Sequence, residues 1–364
     1  MTISTRKRAL AALVATGVAV ALAGCGAAPE ESDGGDDGEA IDFLPCMVSD
    51  QGGFDDKSFN QLGYEGLVAA SEELGVEPIT VESQNESEYQ GNIDSLIDQG
   101  CDLIITVGYL LAPAAGEAAA ANPDVEFVSI DDLVDNDGDG ATDSENIKPL
   151  VYDTAQSAFL AGYASAAYST AGSVGTFGGM NIPTVTVFMD GFKQGVDYWN
   201  EQNGGAVEVV GWDGSDGVFT GGFVANQDAI NAAQGIVDQG VDVLFPVGGP
   251  IYQSAASVIR DSGRDIALIG ADADVYESDP SVGDLLLTSV RKGMDVSVQE
   301  VVTDAANGEF DGTPYVGTLE NGGVSIAPFH DFEDSVPEGL QDELDTITEG
   351  IIDGSITVES YLAE

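Results

Sequence analysis

The chain of 364 residues is about twice the length of a typical single domain, so two lobes with separate cores are expected. Its 64 Asp and Glu against 10 Lys and Arg give a formal charge of -54, which excludes nucleic acid and acidic lipid surfaces as partners. Hydrophobic residues make up 43% and acidic residues fall mainly between the apolar runs, which excludes a disordered chain and points to a charged coat over folded cores. Self-repulsion on this scale needs screening by salt, and the composition suits a saline habitat.

Arg6, Lys7 and Arg8 precede an apolar run from Ala9 to Leu22, and the two together read as a signal peptide over residues 1–24. The run ends Leu22-Ala23-Gly24-Cys25, which resembles the lipobox of bacterial lipoproteins. That resemblance implies a lipid on Cys25 as the first mature residue. Removing residues 1–24 takes away three basic residues and no acidic one, so the formal charge moves from -54 to -57. Residues 25–40 are acidic and Gly-rich with nothing to bury, and are expected to form a disordered linker. No other run is apolar enough to span a bilayer, so the expected location is the outer face of the cell membrane, held by the lipid alone.

From Ile41 onward, short apolar runs alternate with helical patterns, the mark of a parallel sheet flanked by helices. The first series is strand 43–48, helix 57–75, strand 78–82, helix 88–99, strand 102–107, helix 112–121 and strand 126–130. The second is strand 174–177, helix 184–201, strand 206–211, helix 224–239, strand 241–247, helix 251–262 and strand 266–270. The repetition predicts an α/β fold of two similar doubly wound parallel-sheet lobes joined by a hinge, with a cleft between the carboxyl ends of their strands. The first lobe takes residues 41–172 plus about 287–330, on the expectation that strand 285–290 and helix 292–307 return to it, and the second takes 173–286. Residues 331–364 hold a C-terminal helix near 337–353 that neither series claims. Cys46 lies in the first strand and Cys101 opens the next but one, so their offsets favour two buried thiols over a bridge.

After the first strand, Ser49-Asp50-Gln51-Gly52-Gly53-Phe54 leads into a helix capped by Asp55 or Asp56. The turn offers backbone N–H groups but lacks the Walker pattern and carries carboxylates, which suits an uncharged ligand with hydroxyls and an aromatic face. The motif Asp55-Asp56-Lys57-Ser58-Phe59-Asn60 resembles the first-helix motif of the basic membrane protein family, lipoproteins that bind purine nucleosides for ABC transporters. Four further segments are similar to that family in order and spacing. They are Gly178-Gly179 through Phe188 to Gly191-Phe192-Lys193-Gln194-Gly195; Gly240 to Phe245 with Gly248-Gly249; Gly270-Ala271-Asp272-Ala273-Asp274; and Thr288-Ser289-Val290-Arg291-Lys292.

The resemblance implies a type I periplasmic-binding-protein fold and a monomer that closes on inosine, guanosine or adenosine and docks on a permease. It also implies roles for residues. Phe59 and Phe192 are the plates around the base, Asp272 and Lys292 take the ribose hydroxyls, Asn60 and Asp131 read the purine edge, and Gly249 lines the second-lobe loop. Two stretches depart from the family. Asp135-Asn136-Asp137-Gly138-Asp139-Gly140 has the spacing of a calcium loop, yet Asn146 stands where a bidentate Glu belongs, which favours a solvated acidic loop and no metal. Trp212 to Phe219 replaces a shorter turn and leaves base preference open. His330 is the only histidine and no nucleophile motif is present, so neither an enzyme nor a cofactor is expected. A sugar-binding protein of the same fold and a lipoprotein sensor are the alternatives.

Overall fold

The structure, a computed structural model, describes residues 41–136 and 138–362. The signal segment, Cys25, the linker 25–40 and Asp137 lie outside the described residues. In the first series β1 (Pro45–Ser49), α1 (Phe59–Leu74), β2 (Ile79–Glu82), α2 (Tyr89–Asp98), β3 (Leu103–Val107), α3 (Ala112–Ala121) and β4 (Glu126–Ile130) fall within a few residues of the expected elements. Next come β5 (Ile147–Tyr152) and α4 (Thr154–Tyr168). The second series is β6 (Ser173–Gly178), α5 (Pro183–Asn203), β7 (Glu208–Val210), α6 (Gln227–Val237), β8 (Val243–Val247), α7 (Ile251–Ser262) and β9 (Ala267–Asp272). The chain then forms α8 (Val275–Ser278), β10 (Leu286–Lys292), α9 (Met294–Ala306), β11 (Tyr315–Gly317), β12 (Val324–Ile326) and α10 (Leu340–Ile352).

Runs such as Leu103-Ile104-Ile105-Thr106-Val107 are buried at every residue, as strands covered on both faces must be. The strands form two six-stranded sheets. The first runs β11-β5-β4-β3-β1-β2 and is parallel throughout. The second runs β12-β10-β9-β8-β6-β7, parallel except where β12 joins β10. Each sheet has an apolar core on either face. In the first, α1 and α9 cover one side and α2 and α3 the other. In the second, α4, α5 and α10 cover one side and α6 and α7 the other.

The chain passes between the sheets more often than the sequence suggested. Strand 285–290, expected to return to the first lobe, instead extends β9 in the second sheet, and the chain crosses back only afterwards, with α9 packing on α1. Residues 154–168, expected within the first lobe, form α4 against α5 and the second sheet. This helix is buried on nearly all sides, so it has no polar stripe from which a helical period is read.

The packing of α4 on α5 is unusually close. A Cβ added at Gly195 would stand 1.9 Å from the Phe159 carbonyl oxygen, and one at Gly191 would stand 2.4 Å from that of Ala155. These glycines let two helix backbones touch. The two-thiol expectation is also corrected, because Cys46 and Cys101 form a disulfide with Cα atoms 6.0 Å apart. Although next but one in sequence, β3 lies directly beside β1, and Pro45 faces Leu103, which brings Cys101 alongside Cys46.

Candidate functional site

Strand ends from both sheets meet around one cleft, the kind of crevice in which small-molecule sites occur. The first sheet contributes Asp50 after β1, Gly108 after β3 and Asp131 after β4, together with Phe59 and Asn60 from the first turn of α1. The second contributes Ile182, Thr184 and Phe188 at the start of α5, Gly248 and Gly249 after β8, Asp272 at the end of β9 and Lys292 at the end of β10. Phe223, in the loop before α6, completes that wall. The contributing strands β1, β3, β4, β8, β9 and β10 each deliver their carboxyl end, as open parallel sheets do at their binding crevices.

Lys292 is the centre of the charge arrangement. Its Nζ donates to Asp131 Oδ2 at 2.6 Å and lies 3.4 Å from Asp272 Oδ1, with only 2% of the side chain exposed. Asp131 follows β4 and Asp272 ends β9, so the lysine sits between corresponding strand ends of the two sheets. Both aspartates adopt left-handed backbone, φ 70° and 67°, which turns each chain sharply away from its strand. The ammonium also stands 5.1 Å from the centre of the Phe59 ring and 5.0 Å from that of Phe188, within cation–π range.

A second cluster lies on the first-sheet side, where Asn60 Nδ2 donates to Asp50 Oδ1 at 2.9 Å. Asp56 orients the residues between them, since Oδ1 accepts from the Ser58 and Gln61 N–H groups and Oδ2 accepts from that of Asn60, at 2.9 to 3.0 Å. Of the two capping candidates, Asp56 is therefore the one that holds the start of α1. Gly108 makes room for Asp50. A Cβ there would lie 2.4 Å from Asp50 Oδ2, and the residue's φ of 119° disfavours any side chain.

Burial governs how these groups titrate. It pushes Asp50 up to about 8, with Asn60 pulling back and Asp56, Asp131 and Asp272 adding to the rise. It pushes Asp272 up to about 6 against the pull of Lys292. Asp56 and Asp131 also rise through burial, Asp131 in spite of Lys292. For Lys292, burial works against the ammonium, but Asp131 and Asp272 outweigh it and its pKa lies above the ordinary lysine value. Asn60 Oδ1 is buried without a protein hydrogen-bond donor, and Asp272 Oδ1 has only the Lys292 ammonium at 3.4 Å, so both acceptors are open to a ligand's donors.

The cleft brings together Phe59, Asn60, Asp131, Gly249, Asp272 and Lys292 from the expected set. Phe192 is a correction. It is fully buried in the second lobe's core, 5.3 Å from the Phe245 ring centre, and does not line the cleft. Phe188, one helical turn earlier on the same face of α5, lines it instead. Asp131 also has different company from that expected, pairing with Lys292 while Asp50 takes the place beside Asn60. Asp50 was legible as the residue after a strand end, whereas Phe223 sits in a Gly-rich loop whose sequence carries no such signal.

His330 bonds Asp274 at 2.9 Å and stacks on Tyr276, and it is not among the residues lining the cleft. In the acidic insertion, Asp135 Oδ1 accepts from the N–H groups of Gly138 and Asp139 and Oδ2 accepts from that of Gly140, closing the turn on itself. Among the described residues no group of three or more His, Cys, Asp or Glu is placed to hold a metal.

The family model for PnrA-like ABC transporter substrate-binding proteins, Bmp, matches residues 43–360. The nucleoside-binding protein BmpA of an ABC transporter from Lactococcus lactis is 28% identical over 97% of this chain and 98% of its own. Basic membrane protein A of Borreliella burgdorferi is 27% identical over 88% of this chain and 93% of its own. Among solved structures, a solute-binding protein of an ABC transporter system from Aeropyrum pernix K1 superimposes with a TM-score of 0.76 at 24% identity, covering 86% of this chain and 92% of that one.

The raised carboxyl groups make stability pH-dependent. Asp50 keeps its proton in the folded chain where the unfolded chain has lost it, so its contribution is complete below about pH 4, the ordinary carboxylate pKa, and is lost as the pH rises through about 8. The contribution of Asp272 is lost earlier, as the pH rises through about 6. The thermal midpoint at fixed high salt should therefore fall as the pH is raised, and Asp50→Asn should flatten the upper part of that fall. Parallel curves for the two proteins in thermal denaturation across pH would contradict this account of Asp50.

Proposed function

The chain belongs to the family of PnrA-like ABC transporter substrate-binding proteins, and on that premise we propose that it captures a purine nucleoside and passes it to an ABC permease. Proteins of this family bind solutes outside the cytoplasm and hand them over without chemical change. The observation that carries the nucleoside reading is that ring faces and a buried charged cluster share one cleft. Phe59 from the first lobe and Phe188 and Phe223 from the second line it, and Lys292, paired with Asp131 and Asp272, stands against the Phe59 and Phe188 rings.

Aromatic faces suit a flat base, and a carboxylate next to an ammonium suits a cis-diol, one accepting and the other donating. Asp50 and Asn60, held by the Asp56 cap, then face the polar edge of the base. The nucleoside-binding relative from Lactococcus lactis supports the same reading. The solute would bridge both lobes, and its greater affinity for the closed arrangement would drive closure. Attachment through a lipid on Cys25 completes the proposal, supported by Leu22-Ala23-Gly24-Cys25 after the apolar run.

Three experiments test these claims. Inosine, guanosine or adenosine should raise the thermal midpoint where ribose does not, and Asp272→Ala should weaken nucleoside binding by more than about tenfold, the effect of losing a charge-assisted pair. Stabilisation by ribose but by none of the nucleosides would refute the reading in favour of a sugar. For the anchor, Cys25→Ser should move the protein out of the membrane fraction of its own cells, and retention there would contradict lipid attachment at that residue.

A further inference from the structure

Two hydrogen bonds join the lobes beside the cleft through groups outside the proposed binding set. Ser58 Oγ donates to the Ala271 carbonyl oxygen at 2.8 Å, and Ser278 Oγ donates to the Lys57 carbonyl oxygen at 2.7 Å. Lys57 and Ser58 lie in the turn that opens α1, on the first sheet's side. Ala271 is in β9 and Ser278 ends α8, both on the second sheet's side.

Both halves are held stiffly. The Asp56 carboxylate fixes the Ser58, Asn60 and Gln61 N–H groups, which pins the first turn on which Ser58 sits. Lys57, between Asp56 and Ser58, adopts a left-handed φ of 60°, uncommon for a residue with a side chain, and its carbonyl meets Ser278. Across the cleft, the Val275 N–H donates to Ser289 Oγ and the Ser278 N–H to the Asp274 carbonyl oxygen, which ties α8 to the second sheet. Stiff partners lose little freedom when they meet, so such bonds keep most of their worth.

The geometry points to a built-in latch, in which Ser58 with Ala271 and Ser278 with Lys57 stabilise lobe closure through protein groups alone, so that part of the population is closed before solute enters. This rests on the hinge closure of the proposed function but not on the identity of the solute. Its consequence is specific. Apparent affinity scales with the fraction of molecules in the binding-competent state, so weakening the latch lowers affinity for every solute by one common factor and leaves discrimination untouched.

The test uses spin labels on two exposed positions, Val296 of α9 and Asn231 of α6, with the native disulfide intact, and reads inter-lobe distances after exhaustive dialysis. The unsubstituted chain should show a short-distance population without added solute. Ser278→Ala should reduce the ratio of short to long distances by about fivefold, the effect of one neutral hydrogen bond, and Ser58→Ala with Ser278→Ala should reduce it further. Ser278→Ala should also raise the Kd values of inosine, guanosine and adenosine by the same factor, with their ratios unchanged.

A short-distance population that is absent from the unsubstituted chain, or unchanged in the double variant, would overturn the latch. Ser278 is only half-buried, so if the double variant fails to fold the single substitution decides the question by itself. Failure of the nucleoside reading would show instead as no nucleoside binding by the unsubstituted chain, and the distance measurement would still stand.

Discussion

The cleft depends on one buried ammonium. Asp50, Asp56, Asp131 and Asp272 all line it, and Lys292 is the one cation among its lining residues. Bringing several carboxylates out of water together costs several kcal/mol for each one left ionised. The structure meets that cost in two ways. Asp50 is pushed up to about 8 and stays neutral near pH 7, while Asp131 and Asp272 share Lys292. Because those two aspartates end corresponding strands of different sheets, the ion pair is also a tie between the lobes. Taking away the lysine would leave two unmatched carboxylates facing each other across the cleft, and closure would then work against their repulsion.

This interior contrasts with the outside of the molecule. The formal charge of -54 is carried mainly by solvated residues between the elements, where salt screens it and each contributes little to the fold. Inside the cleft the same residue types are desolvated, and their arrangement decides what enters. An excess of carboxylate over ammonium opposes anionic solutes, while ring faces and unmet acceptors favour a neutral molecule with donors and a flat surface. The same charge type thus serves solubility in one place and recognition in the other.

The alternation of strands and helices was legible in the sequence because each buried strand is a short apolar run and each covering helix has a polar side. What lacked that contrast was missed. The helix α4 is buried nearly all round, and β11 and β12 are three residues long. Crossing points were misplaced for a different reason. Which sheet β10 joins is decided by its pairing with β9, and no local pattern in Leu286–Lys292 encodes it. The disulfide depended in the same way on sheet order, which sets β3 beside β1.

In the site, the readable residues were those that the resemblance implied and that stand at a strand end or a helix start, where position aims them at the crevice. Asp131, Asp272, Lys292, Phe59 and Asn60 are of this kind. Phe192 failed because two phenylalanines a helical turn apart on α5 share one face: Phe188 stands nearer the helix start and lines the cleft, while Phe192 packs against Phe245 in the core. The central claim is most directly tested by purifying the protein from its own cells, denaturing it and identifying the released small molecule by mass spectrometry. The account predicts a purine nucleoside in stoichiometric amount, and a hexose or another solute without a purine base in its place would contradict it.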